Sequence, residues 1–225
     1  MDTIGIRMPR LNRVERQELT TSQLLETAKA VFLERGYHRS TLDDIAEAAG
    51  FTKGAVYARF ASKDDLFLAL FDAWTDMRIA EIRNGVAERQ GFEEYVASSA
   101  RRMMALRREQ ANWYLVLLEF WTYAARDNRL RAEFAVRHNR LLQEVAASLE
   151  RSAAAVGLTL VLPALDLARA GSAMGHGVTL ERLSDPERVP DTLLEAMLKS
   201  FVRATALAAP AKQERARHRK RRRSR

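Results

Sequence analysis

The chain has 225 residues, of which 47% are hydrophobic, a formal net charge of +8 and no cysteine. This length suits one large domain or two small ones, and the lack of cysteine excludes disulfides, thiolate nucleophiles and cysteine-based metal sites. No apolar run approaches the roughly 20 residues of a membrane helix, and the N-terminus has no apolar core of signal-peptide length. We therefore expect a cytoplasmic protein.

The positive charge is concentrated at the C-terminus. Residues 211–225 hold nine Lys or Arg and one Glu, so their net charge equals the +8 of the whole chain. The rest of the chain is electrically balanced. We expect 210–225 to be a disordered basic tail. It either only aids solubility or attracts DNA phosphates without sequence preference.

The N-terminal third contains four helical patterns. We expect residues 1–20 to form a flexible basic arm, after which apolar residues recur at helical spacing. Gly36 ends this first helix, and Thr41 begins a second that ends at Gly50. Thr52 and Ser62 are caps for a third and a fourth helix. The apolar stripe of the first helix consists of Leu24, Leu25, Ala28, Val31 and Phe32.

The remainder of the chain is also helical by pattern. The fourth helix is predicted to reach about residue 89, and further helices are predicted at 92–108, 112–126, 128–156, 164–183 and 191–208. No segment shows the alternation of a β-strand. The sequence thus predicts an all-α protein of about nine helices.

The third helical segment, TKGAVYARF, has an unusual exposed face. Val56 and Phe60 fall on one side and are predicted to pack against the first two helices. The opposite side is formed by Gly54, Ala55 and Ala58. Such a bare face suits a partner that comes very close, as when a helix enters the major groove of DNA. The alternative is an ordinary helical bundle with normal caps.

The groups around this face suggest how DNA would be contacted. Thr52 and Lys53 lie at the N-terminal end, which is the part of a recognition helix that contacts bases. Phosphate contacts are predicted for Thr41, Tyr57, Arg59 and Lys63. Residues 22–66 hold six basic and seven acidic side chains. Recognition should therefore depend on shape and a few placed groups rather than on bulk charge.

The order of these residues resembles the N-terminal domain of the TetR family of bacterial transcription regulators. The resemblance covers about 45 residues and includes Gly36, Tyr37, Thr41, Ile45, Ala46, Ala49, Gly50, Lys53, Gly54, Tyr57, Phe60 and Lys63. It implies a helix-turn-helix DNA-binding domain at 21–65, followed by a ligand-binding and dimerisation domain at 66–209. The DNA contacts it implies are Thr41, Thr52, Lys53, Gly54, Ala55, Tyr57, Arg59 and Lys63.

The resemblance also implies a function. A homodimer would bind a palindromic operator in double-stranded DNA as a repressor, and a small molecule in the C-terminal domain would release it. No catalytic, metal or cofactor motif is visible, so we expect neither enzyme activity nor a cofactor. The alternatives are a non-specific architectural DNA-binding protein and a small-molecule-binding helical protein with a vestigial DNA-binding domain.

The helix at 112–126 and its successor supply candidate pocket residues. Glu119 lies among apolar residues, so it either reaches solvent or an arginine such as Arg137, or binds a ligand. His138 is either a satisfied core residue or a ligand contact. The aromatic residues and Met103 form plain core or a pocket wall. The full set is Met103, Trp113, Leu117, Glu119, Phe120, Trp121, Tyr123, Phe134, Arg137 and His138.

The last two helices are predicted to form a dimer interface. A strip of small residues allows close helix packing, and the final helix is apolar on two sides. His176, between two glycines, is interpreted as a packing or interface residue rather than a catalytic one. The predicted interface residues are Ala168, Gly171, Ser172, Gly175, Thr179, Leu193, Met197 and Leu207.

Overall fold

A computed structural model of the chain describes residues 13–84 and 91–208, with side chains at 21–84 and 91–206. The predicted arm at 1–20 and tail at 210–225 fall wholly or largely outside these ranges. The described residues form nine helices and two short strands. These elements are α1 (Arg13–Arg35), α2 (Leu42–Ala48), α3 (Lys53–Tyr57), α4 (Lys63–Asn84), α5 (Phe92–Glu109), α6 (Ala111–Ala124), α7 (Asn128–Ala155), β1 (Leu158–Leu160), α8 (Ala164–Ser184), α9 (Leu193–Thr205) and β2 (Ala206–Ala208).

The all-α class is confirmed. The five helices from α5 to α9 lie within three residues of their predicted ends. The first helix begins earlier than expected, at Arg13 rather than near residue 21. Residues 13–20 contain no Gly or Pro, and they are mostly good helix formers. They lack the apolar stripe on which the prediction depended.

The prediction that the chain has no strand is wrong. β1 and β2 pair antiparallel, with Leu158 opposite Ala208 and Leu160 opposite Ala206. Each strand has three residues, which is too short to show alternation. The two strands are also distant from each other in sequence, so no turn motif between them indicates that they pair.

The chain divides into two compact units. Unit 1 comprises residues up to 74 together with 112–134, so α1 to α3 share a unit with most of α6. Its core is aromatic: the ring centroid of Phe67 lies 5.6 Å from that of Phe32 and 4.1 Å from that of Phe120. Burial of these large side chains provides most of the stabilisation in such a core.

Unit 2 comprises residues 75–111 and those from 135 onwards. In this unit α5 packs against α8 and α9. Its apolar core includes Phe92, Met104, Leu142, Leu167 and Leu194. The buried hydroxyl of Tyr95 lies 2.6 Å from the hydroxyl of Ser148, so both polar groups are satisfied inside the core.

Candidate nucleic-acid interface

The second helix, α2, begins with a complete capping box at Thr41. The Thr41 hydroxyl accepts a hydrogen bond from the backbone N–H of Asp44 at 3.1 Å, and the Asp44 carboxylate accepts one from the Thr41 N–H at 2.9 Å. The predicted cap is therefore confirmed. Hydrogen bonds from Thr41, helped by nearby Arg35, lower the pKa of Asp44. Gly50 ends the segment with a φ of 70°, a conformation that favours glycine.

The third helix, α3, has the orientation that the sequence predicts. The Thr52 side chain accepts a hydrogen bond from the N–H of Ala55 at 3.2 Å and so caps the helix. Val56 is 0% exposed and Phe60 is also buried, both within the core of unit 1. In contrast, the Tyr57 side chain is 51% exposed, and the small residues Gly54, Ala55 and Ala58 are exposed as well.

Gly54 has no packing role within the described residues. A Cβ placed on it would meet no described atom within 4 Å, and its φ is not positive. Glycine inside a helix costs about 1 kcal/mol relative to alanine. Contacts inside the protein therefore give no reason for glycine here, whereas close approach of an outside partner would.

The charge at this face is held in a local ion pair. The Lys53 ammonium lies 2.6 Å from the Asp43 carboxylate, and its side chain remains 70% exposed. The hydrogen bond to Asp43 raises the pKa of Lys53. Lys53 is thus a displayed cation whose charge an adjacent carboxylate offsets.

Lys63 lies in a different environment from Lys53. Its ammonium donates hydrogen bonds to the carbonyl oxygens of Tyr37 and Ser40, both at 2.8 Å, and to that of His38 at 3.4 Å. It also lies 4.4 Å from the centre of the Tyr37 ring. Burial lowers its pKa. These contacts position the chain between α1 and α2, and the phosphate contact of Lys63 stays a prediction, as does that of exposed Arg59.

Glu119 contacts a group that sequence reasoning missed. Its carboxylate accepts hydrogen bonds from the backbone N–H groups of Tyr37, at 2.8 Å, and His38, at 3.4 Å. The expected partners were solvent, an arginine or a ligand. A backbone partner 82 residues away leaves no mark in the sequence. The only local signal was Gly36, which indicates the end of α1 and has a φ of 78° there, but it does not indicate Glu119 as the partner.

The candidate pocket residues divide between the two units. Trp113, Leu117, Phe120 and Phe134 are buried in the aromatic core of unit 1. Trp121 packs against this core, and Tyr123 is 38% exposed. The indole N–H of Trp113 has no hydrogen-bond acceptor among the described residues.

Three candidate pocket residues belong to unit 2: Met103, Arg137 and His138. The terminal carbon of Met103 lies 2.8 Å from where a Cβ on Gly175 would stand, so this methionine fills the space that the glycine leaves. Burial and the nearby Arg169 lower the pKa of His138. In the described residues no group of His, Cys, Asp and Glu could hold a metal ion.

The predicted dimer interface needs correction at three positions. Ala168, Gly175 and Thr179 are buried inside unit 2, and the Arg107 guanidinium donates hydrogen bonds to the Gly175 carbonyl and the Thr179 hydroxyl. Gly171 faces Leu198 of α9. The small residues there allow helix packing within the subunit. The side chain of Leu207 lies outside the described residues, and the remaining predicted positions are Ser172, Leu193 and Met197.

The opposite side of α8 is the exposed one. It carries Ala173, Gly177 and Leu180, and Leu180 is 47% exposed. His176 lies close to Arg107, with a distance of 3.5 Å between the His176 ring nitrogen Nδ1 and an Arg107 nitrogen. Burial, Arg107 and His138 lower the pKa of His176 to about 4. His176 therefore belongs to the packing of unit 2, which is one of the two roles, packing or interface, that the sequence analysis left open.

Two family models match the chain. One is described as "Bacterial regulatory proteins, tetR family" and matches residues 24–70. The other is described as "BetI-type transcriptional repressor, C-terminal" and matches residues 89–207, which is more than half of the chain. No helix of the described residues is long and apolar enough to cross a membrane.

Curated relatives include both transcriptional activators and transcriptional repressors. The transcriptional activator FasR of Mycolicibacterium smegmatis is 39% identical over 75 residues, which are 33% of this chain and 34% of that relative. The transcriptional repressor AcnR of Corynebacterium diphtheriae is 32% identical over 148 residues, 65% of this chain and 71% of that relative. For FasR and two other relatives, the match spans only about a third of the relative's own length.

Solved structures share the fold. The regulator FadR of Bacillus subtilis, solved in complex with stearoyl-CoA, has a TM-score of 0.65 and 18% identity, over 80% of this chain and 96% of that one. A regulator from Saccharomonospora viridis, solved with choline, has a TM-score of 0.64 and 20% identity, over 84% of this chain and 98% of that one. At these identities the likeness concerns the fold alone.

Proposed function

The chain belongs to the TetR family of bacterial regulatory proteins, and on that premise we propose that it is a DNA-binding repressor of transcription in the bacterial cytoplasm. The observation that carries the proposal is the outer face of α3. Gly54 and Ala55 stand exposed there, and no described atom lies near the position of a Gly54 Cβ. A helix with such a face can lie deep in the major groove, where base edges are read.

The groups around this face fit a division of labour. Thr52 and Lys53, at the N-terminus of α3, contact bases, and the exposed Tyr57 hydroxyl contacts a phosphate. Lys53 must exchange its bond with Asp43 for a bond to DNA. Because Asp43 offsets this charge, affinity for arbitrary DNA is held down and correct base contacts matter more.

A dimer would present two such helices to the two halves of a palindrome. The exposed side of α8, with Ala173, Gly177 and Leu180, supports a helical interface with a second copy. Gly177 has open space where a Cβ would stand, so a partner helix can approach closely. On α9 the exposed Met197 is a further candidate for the interface, as the sequence analysis predicts. The exposed side of α8 takes the place of Ala168, Gly175 and Thr179, which are buried.

A small molecule that binds in the C-terminal domain would release the dimer from DNA. The ligands in the FadR and choline-bound structures support a small-molecule site in this fold. Within unit 1, the buried Trp113 indole, which has no acceptor among the described residues, supports a ligand that offers one.

The test is a selection of duplexes from a random DNA library by the full-length protein, followed by affinity measurements on the selected duplex. Lys53→Ala should weaken binding by about tenfold or more, the range for losing a base contact. Tyr57→Phe should weaken it a few-fold, since one hydroxyl is lost. Lys199→Ala removes the same charge from α9 and should leave the affinity unchanged.

The outcomes separate the candidate functions. If neither Lys53→Ala nor Tyr57→Phe loses affinity, α3 is not the reading helix. If the wild-type protein binds the selected and the random duplexes equally well in competition, it is an architectural DNA-binding protein instead. If it binds no DNA, the small-molecule-binding alternative is favoured.

A further inference from the structure

The connection between α1 and α2, residues 36–40, is held from two sides by α4 and α6. The residues that meet here, which are 36–40, Lys63 of α4 and Glu119 of α6, all belong to unit 1. The connection leads directly into Thr41 and α2, which in turn packs against α3. Whatever fixes this connection therefore fixes the start of the two helices that form the candidate nucleic-acid interface.

The backbone N–H groups of this connection are bound by the carboxylate of Glu119. It accepts the N–H groups of Tyr37 and His38 at 2.8 and 3.4 Å. A Cβ on Gly36 would lie only 3.0 Å from the other carboxylate oxygen. The carboxylate thus lies directly against the backbone, in contact with three consecutive residues at the end of α1.

The backbone carbonyl oxygens of this connection are bound by the ammonium of Lys63. Its bonds to the carbonyl oxygens of Tyr37, His38 and Ser40 use all three of its donors. The Lys63 ammonium also lies 4.4 Å from the centre of the Tyr37 ring, and the hydroxyl of Tyr37 donates a hydrogen bond to Asp64. Burial and this hydrogen bond raise the pKa of Tyr37, so the phenol stays a donor.

We propose that Glu119 is a positioning residue for DNA binding: from α6 it holds the α1–α2 connection and thereby sets the orientation of α2 and α3. The proposal rests on the proposed function for its DNA readout. Charge-assisted hydrogen bonds are roughly twice as strong as neutral ones. Loss of the carboxylate leaves two backbone N–H groups without their acceptor, so the connection gains freedom.

The test compares the full-length wild type with Glu119→Ala, Glu119→Gln and the control Glu150→Ala, which removes an exposed carboxylate from α7. Backbone hydrogen–deuterium exchange across residues 36–60 is measured first. Affinity for the duplex that the wild type selects from a random library is measured second. Thermal unfolding gives the global stability.

Glu119→Ala should speed exchange at Tyr37 and His38 and throughout α2 and α3, and it should weaken duplex binding by about tenfold, the scale of a lost charge-assisted bond. Glu119→Gln keeps one acceptor without the charge and should restore part of both properties. If Glu119→Ala does not fold, Glu119→Gln decides, with an expected loss of about threefold. The control should match the wild type.

Two results would overturn the proposal. One is faster exchange only at residues 37 and 38, with unchanged exchange in α2 and α3 and unchanged duplex affinity. The other is a lower unfolding temperature with full affinity below it, which is what a purely structural role predicts. Should the wild type select no duplex, the proposed function fails, and the exchange data still decide the role of Glu119.

Discussion

Two helix faces rich in small residues differ in burial: the face on α3 is exposed and the face on α8 is buried. On α3, Gly54 and Ala55 are exposed, and a Cβ on Gly54 would meet no described atom within 4 Å. On α8, a Cβ on Gly175 would stand 2.8 Å from the end of Met103 and 3.1 Å from the Arg107 guanidinium. The same composition therefore leaves room for an outside partner on one helix and admits neighbouring side chains on the other.

The difference shows that a small residue in a helix indicates that another group can come close to the backbone. It does not show whether that group belongs to the same protein or to an outside partner. On α8 the approaching groups are two side chains of α5, and Arg107 bonds to the carbonyl of Gly175 itself. On α3 no described atom lies within 4 Å of a Cβ placed on Gly54. Substitutions that add atoms to each face should thus act on different properties.

The largest effect is expected for Gly175→Val. Its added carbons meet Met103 and Arg107, so we expect the free energy of unfolding to fall by about 1–3 kcal/mol, as for other overpacked cores. Urea denaturation followed by circular dichroism measures this. Gly54→Val is the matched control and should change stability by no more than about 0.5 kcal/mol. Equal losses in the two variants would remove the contrast between the faces.

Gly54→Ala should have effects of opposite sign on stability and binding. Alanine favours the helix, so the free energy of unfolding should rise by up to about 1 kcal/mol. Its methyl group occupies the space that DNA needs, so affinity for the selected duplex should fall several-fold, an amount below the roughly 1.4 kcal/mol of a tenfold change. Fluorescence anisotropy measures the affinity. Unchanged binding would mean that DNA does not approach Gly54.

The inner face of α8 should also make stability depend on pH. The pKa of His176 is lowered from 6.5 to about 4 by burial, Arg107 and His138. Between these values the unfolded chain binds a proton that the folded chain does not, so stability should fall as the pH drops from 6.5 towards 4. Unfolding measured at pH 7 and pH 5 should show a smaller fall in His176→Gln. Parallel losses would exclude His176 as a source.

The smallest effect is expected for Asp43→Asn on α2, next to the outer face of α3. It removes the carboxylate that offsets Lys53, so affinity for random DNA at low salt should rise a few-fold. If Lys53 then contacts one more phosphate, the slope of log affinity against log salt should steepen by about 0.9. The double variant Asp43→Asn with Lys53→Ala should lose this gain. A gain that persists there would come from another group.

Much of the fold follows from local pattern. Thr41 with Asp44 and Gly50 mark where α2 begins and ends, and Thr52 marks where α3 begins, because caps and left-handed turns depend on residues a few positions apart. The burial of Val56 opposite an exposed Gly54 follows from helical periodicity. The strand pair at Leu158–Leu160 and Ala206–Ala208 could not be predicted in this way, since its partners are distant in sequence.

Apart from the first two turns of α1, the sequence by itself determined the helices, the caps of α2 and α3 and the outer face of α3, because each depends on residues within one or two turns of one another. Only the tertiary structure decided which small residues are buried. In the tertiary structure the Gly175 carbonyl accepts a hydrogen bond from Arg107, and the Glu119 carboxylate accepts one from the backbone N–H of Tyr37. Such contacts join segments tens of residues apart, and they depend on how whole helices pack.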